Sequence, residues 1–164
     1  MRSADIIVSR RGLRFRGVDV PCSIGRGGVT ADKREGDGAT PRGRLEIIGC
    51  LYRPDRTSCP APWAEPIRPG DLWSDDPKDE SYNQLVRAPY AYSHEHMRRA
   101  DPLYDLVLLT DWNWPNAVPG KGSAIFMHRW RRPGHPTEGC IAVSVPALRW
   151  IARLASPGTT IQVL

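Results

Sequence analysis

Prolines and glycines punctuate this chain so often that long helices have little room to form. With 16 Pro and 15 Gly in 164 residues, turns recur along the whole length and the apolar stretches between them stay short. "DIIVS" and "LRFRGVDVPCSI" read as strands, the second folded into a hairpin at Gly17. "RLEIIGCLY", "LYDLVLLTD", "GSAIFMH" and the closing "TTIQVL" read the same way. One segment departs from the pattern. In "SVPALRWIARLASPG", Ser144 can cap a helix and Pro146 suits its first turn. Leu148, Ile151 and Leu154 give that helix an apolar face, and Pro157-Gly158 stop it. "YSHEHMRRAD" reads as a second short helix capped by Ser93. The long "GRGGVTADKREGDGATPRG" is expected to be an exposed loop or extended hairpin, and residues 53–79 a long ordered loop. The expectation is a mainly β fold, a sandwich with one or two short helices and long loops, in a single domain over residues 1–164.

Composition narrows the classes of partner. The net charge is +5 and comes almost entirely from Arg, since Lys33, Lys78 and Lys121 are the only lysines. Guanidinium forks suit carboxylates and phosphates. The arginines are scattered, with pairs at 10-11, 98-99 and 131-132 and no basic run of five. A solvated basic surface is therefore favoured over a nucleic-acid patch. No apolar stretch has the length of a secretory signal core or a membrane span. A cytoplasmic location without membrane contact is expected, or a periplasmic one if the start is truncated. Cys22, Cys50, Cys59 and Cys140 contain no C-x-x-C pair and would be reduced in the cytoplasm. Cys22 and Cys50 sit in strand-like surroundings as small core residues, and Cys59 reads as a loop thiol.

Chemistry concentrates in "HRWRRPGHPTEGCIAVS", His128 to Ser144. A thiol attacks carbonyl carbon as thiolate, and a nearby imidazole can take its proton. His128 ends one apolar run and Cys140 begins another after a Pro/Gly-rich turn. Antiparallel pairing of those strands would set the two side chains face to face. Gly139 would then let a substrate approach the backbone, with N–H groups near Cys140 available to a developing oxyanion. Two other readings stand beside this one. Cys140 can be a buried, inert core residue, or His128, His135 and Cys140 can join His94 or His96 around zinc, although the spacing matches no common zinc motif.

"AIFMH" followed by "TEGCIAVS" resembles the L,D-transpeptidase catalytic-domain (YkuD-like) family, whose signature runs from a His through Ser/Thr-His-Gly-Cys to an apolar residue. Thr137, Gly139, Cys140 and Ile141 match it, and His128 falls where the family's general base lies. "GDGATPRGRLEI" resembles the family's Gly-x-x-Thr-Pro-x-Gly hairpin. "LWSDDPKDESYN", "YSHEH" and "YDLVLLTDWN" resemble a small, signal-less subgroup. The similarity spans about Cys22 to Leu164. It departs from the family at Glu138, where a His is usual, and at Ala142, where many members carry Arg or Asn.

The resemblance implies acyl transfer on peptidoglycan stem peptides. Cys140 would be the nucleophile and His128 the base, with Gly139 at the oxyanion. The bond cleaved would join the third residue, commonly meso-diaminopimelate, to terminal D-Ala. L,D-carboxypeptidase action on recycled tetrapeptides or muropeptides is the favoured form. Cross-linking or D-amino-acid exchange is the alternative, and an inactive peptidoglycan-binding module the alternative of another class. His94, Arg129, Arg132, His135 and Glu138 are the candidate substrate-binding residues. No metal or other cofactor is expected. Acylation of the nucleophile by carbapenems is implied as well.

Overall fold

The computed structural model describes residues 5–164. Its strands are β1 (Ile6–Ser9), β2 (Gly12–Phe15), β3 (Val18–Val20), β4 (Cys22–Ser23), β5 (Val29–Thr30), β6 (Thr40–Pro41), β7 (Gly43–Tyr52) and β8 (Glu65–Pro66). They continue as β9 (Asp71–Ser74), β10 (Leu85–Arg87), β11 (His94–His96), β12 (Leu106–Thr110), β13 (Phe126–Arg129) and β14 (Ile141–Val143). Helix α1 (Val145–Leu154) and β15 (Thr160–Val163) complete the chain. The fold is mainly β with a single helix among the described residues, as expected.

Ten strands form one sheet in the order β3-β2-β1-β15-β7-β12-β13-β14-β4, with β8 added beside β7. Its two end strands, β3 and β4, are separated in sequence by Pro21 alone, so the sheet has to curl until its ends meet. Inside the curl lies the larger core, where Leu148, Ile151 and Ala152 of α1 pack on Leu108, Met127, Ile141 and Val143. The helix begins as the residue types predict. Ser144 is its N-cap and accepts the Ala147 N–H, and proline occupies the first turn. Leu154 is 40% exposed rather than core-facing, and the buried stripe is completed by Ala152.

A smaller sheet, β10-β9-β11, packs on the other side of the central strands. Trp73 meets Phe126 edge-on at 4.9 Å. Met97, Ile67, Val107 and Leu109 fill the space between. Central strands covered on both faces read as continuous apolar runs, and all five residues of β12 are buried.

Three expectations change here. The "HEH" segment is not helical: His94–His96 is strand β11, antiparallel to β9 with Glu95 opposite Trp73. Ser93 caps no helix, and its carbonyl accepts the Asp75 N–H. The edge of β9 outcompetes a short helix because pairing there also buries Met97 completely. Residues 53–79 are not one loop, since β8 and β9 lie within them. β9 had no readable alternation because all four of its residues are buried. The segment 25–43 is not simply an exposed loop, for its short strands β5 and β6 pair in parallel and Lys33 and Thr40 are buried.

Candidate active site

β13 and β14 run parallel, not antiparallel, with Met127 opposite Ile141 and His128 opposite Ala142. Side chains alternate along a strand. Met127 and Ile141 therefore enter the helix-side core, while Phe126, His128 and Cys140 turn to the opposite face. Parallel pairing thus brings His128 and Cys140 together by a shared face of the sheet. Both open into a cavity of about 280 Å³.

Cys140 is half-buried, and its sulfur is held by backbone. It donates to the Ala124 carbonyl at 3.1 Å, and the Phe126 N–H donates to it at 3.4 Å. Ala124 adopts φ 51°, a left-handed conformation that costs a non-glycine residue about 1–2 kcal/mol. Asn83 maintains it: buried Oδ1 accepts the Ala124 N–H at 3.0 Å and Trp73 Nε1–H at 2.9 Å. The Asn83 amide donates to the Trp112 and Asn113 carbonyls. Sequence reasoning missed Asn83, which sits in a polar stretch with nothing to connect it to Cys140.

His128 is 6% exposed. With Nδ1 donating to its neighbour's carbonyl, Arg129 O, at 2.6 Å, Nε2 carries the lone pair. Burial lowers its pKa to about 4, partly opposed by that backbone bond. Burial pushes the Cys140 thiol up to about 12. No hydrogen bond joins sulfur and imidazole among the described residues. The resting pair is neutral thiol beside neutral imidazole. Tyr104 packs edge-on against the His128 ring at 5.6 Å, under Arg99, whose guanidinium lies 5.1 Å from the tyrosine centroid.

The turn before Cys140 is laced from two sides. Thr137 Oγ1 donates to the Cys140 carbonyl at 2.6 Å and accepts the Gly139 N–H at 3.1 Å. Thr40 Oγ1 donates to the Gly139 carbonyl at 2.8 Å and accepts the Gly25 N–H at 2.9 Å. Gly139 has φ +139°, and a Cβ there would stand 2.9 Å from the Ala39 carbonyl oxygen. The close approach that requires glycine is thus to the chain itself rather than to a substrate. The Gly139 N–H is already engaged by Thr137, so of the two backbone donors expected, this one is not free for an oxyanion.

The remaining candidates separate. His135 and Glu138 line the cavity, as does Arg131. Glu138 is exposed and paired with Arg26 at 2.7 Å. His94, Arg129 and Arg132 do not line it. On β11, strand alternation sends Glu95 toward the cavity and His94 away, where its ring meets those of Tyr90 and His96. Arg132 is exposed in the turn following β13. No three His, Cys, Asp or Glu residues are gathered in metal-binding geometry among the described residues. The zinc alternative therefore finds no assembled ligand set.

A family model described as the L,D-transpeptidase catalytic domain matches residues 6–163. A search of curated proteins returns no match to this chain. Among solved structures, an L,D-transpeptidase from Mycobacterium smegmatis is similar at 15% identity with a TM-score of 0.44, over 98% of this chain and 59% of that one. The chain thus spans a little over half the length of that protein.

Proposed function

Because the chain belongs to the L,D-transpeptidase catalytic-domain family, we propose that it performs cysteine-dependent acyl transfer on peptidoglycan stem peptides, as an L,D-carboxypeptidase that releases terminal D-Ala. The observation that carries this reading is the shared face of Cys140 and His128, on adjacent parallel strands at one cavity. Sγ attacks the carbonyl of the third residue while His128 Nε2 takes the thiol proton. The imidazolium returns that proton to the departing amine of D-Ala, leaving a thioester. Water, deprotonated by the same nitrogen, then frees the tripeptide and restores the thiol.

The neutral resting pair suits this sequence. A thiol at about 12 and an imidazole at about 4 do not form an ion pair at rest, so the proton moves as the carbonyl is attacked. The Cys140 N–H is left as the backbone donor for the oxyanion, since Thr137 occupies that of Gly139. Support for water as acceptor comes from Ala142, which is fully buried opposite His128 and offers no polar side chain to an incoming amine. A recycled tetrapeptide or muropeptide in the cytoplasm is the substrate proposed.

The test is D-Ala release from a purified tetrapeptide, alongside intact-protein mass after carbapenem exposure. Turnover and one drug adduct, both lost in Cys140→Ala, are expected. Exchange of D-Ala for added D-amino acids without net release would make transpeptidation the reaction. Neither adduct nor turnover would leave a binding module.

A further inference from the structure

Three of the four non-glycine residues that adopt positive φ among the described residues meet at one buried side chain. They are Asn83 (φ 59°), Asn113 (φ 51°) and Ala124 (φ 51°), and the side chain is that of Asn83, 2% exposed. Its amide is used in full. Oδ1 accepts the Ala124 N–H at 3.0 Å and Trp73 Nε1–H at 2.9 Å. Nδ2 donates to the carbonyls of Trp112 at 2.9 Å and Asn113 at 2.8 Å. Two acceptor and two donor positions are what a primary amide offers, so this one is committed to the chain itself.

The three left-handed residues are not equivalent. Asparagine enters this region readily because its short polar side chain can bond locally. Asn113 does so: Nδ2 donates to the Val118 and Gly122 carbonyls, each at 3.0 Å, and Oδ1 accepts the Val118 N–H at 2.8 Å. Ala124 has no such group, so what keeps it left-handed comes from outside, through the bond from its N–H to Asn83. The consequence falls on the sulfur. The Ala124 carbonyl accepts the Cys140 thiol at 3.1 Å, and the N–H of Phe126, two residues on, donates to Sγ at 3.4 Å. Rotation of the backbone at residue 124 would carry that carbonyl away from the thiol. Strained backbone held by its surroundings clusters where reacting groups have to be placed.

We infer that Asn83 is a positioning residue for the acyl transfer: by holding Ala124 left-handed it aims the Ala124 carbonyl at the Cys140 thiol and so fixes where Sγ stands before attack. The inference rests on the acyl-transfer reading of the site. Asn83 does not line the cavity and acts through Ala124, which does. A carbonyl that accepts from the thiol favours the neutral form over the thiolate. The same bond therefore holds the thiol hydrogen on Ala124 rather than on His128 at rest, and attack requires that hydrogen to leave Ala124 for His128 Nε2.

Alkylation by iodoacetamide tests this without turnover, since the reagent needs only a thiolate, and peptide mass spectrometry reads each cysteine separately. Asn83→Gly keeps the left-handed backbone at 83 and removes the side chain. At pH 8 its Cys140 should alkylate about 3- to 10-fold faster, the range of one hydrogen bond. Cys50, 1% exposed in the core, should stay as protected as in the unsubstituted protein. Carbapenem acylation of Cys140, which needs the sulfur in place for a carbonyl, should slow by about 10- to 100-fold. Asn83→Asp retains the two accepted bonds and loses the two donated ones, so it should restore both rates although its melting temperature falls. Where the glycine variant does not fold, the aspartate variant decides alone. Faster alkylation of Cys50 together with Cys140 would make the role of Asn83 structural only and overturn the inference. So would unchanged Cys140 rates in Asn83→Gly, or changed ones in Asn83→Asp. An unsubstituted protein that forms no carbapenem adduct would count against the acyl-transfer reading, while the alkylation comparison still decides whether Asn83 places the thiol.

Discussion

Cys50 and Cys140 sit on opposite faces of the same sheet, and burial pushes both thiols up to about 12. Cys50 pairs with Leu108 across β7 and β12 and is 1% exposed in the helix-side core. Cys140 turns the other way, half-buried at a cavity that His128 also enters. The two faces differ by one step of the pleat. Along β13, Met127 is core while Phe126 and His128 face the small sheet and the cavity. What separates the two thiols here is therefore not resting acidity. It is access to a carbonyl and to a nitrogen that can take a proton.

The sharpest way to break that comparison is to delete each sulfur. Cys140→Ala should lower D-Ala release by at least about three orders of magnitude, with little change in melting temperature. Cys50→Ala should do the reverse, keeping turnover and costing about 1–2 kcal/mol of stability. Equal loss of activity in both would end the distinction between the faces. On the helix side, Leu148→Ala should destabilise by about 2–5 kcal/mol in urea titration, with carbapenem adduct formation by the folded fraction unchanged.

Acid should act on the cavity face. The His128 pKa is lowered from 6.5 to about 4, so the unfolded chain takes up this proton at higher pH than the folded one does. The stability from keeping the imidazole neutral is full above pH 6.5 and is lost as pH falls to about 4, a change of about 3 kcal/mol. Urea titrations across that range should show the slope, and His128→Gln should flatten it. A last substitution probes the turn that joins the faces. Thr40→Val removes the hydroxyl bridging Gly25 and Gly139 and should lower stability by about 1–3 kcal/mol in a thermal melt.

Much of the strand content was legible because turn residues bracket apolar runs, as in β7, β12 and β15, and because Ser144 and Pro146 mark the start of α1. The direction of β14 was not. Residues 130–140 are long enough for either a wide hairpin or a parallel return, and only packing against α1 and β4 decides between them. His94 was singled out, and Glu95, one position on, is the residue of that segment that lines the cavity, in a strand that read as helix. Cys140 and His128 stood out through local sequence, since the turn that leads into Cys140 is compact. The carboxylates that line the cavity did not. Glu35, Asp75 and Glu95 lie in three separate polar stretches, and folding alone makes them neighbours.

The place of β15 in the sheet has a consequence in time. It lies between β1, which it joins in parallel, and β7, so a strand made after β1 to β14 is the one that links the hairpin of β1 and β2 to the rest. During synthesis, β1 to β3 have no seat in the main sheet until residues 160–163 have emerged. The curl cannot close before then, and α1 has only part of its core to pack on. A ribosome still holding those residues holds a chain whose thiol has been made but whose surroundings have not.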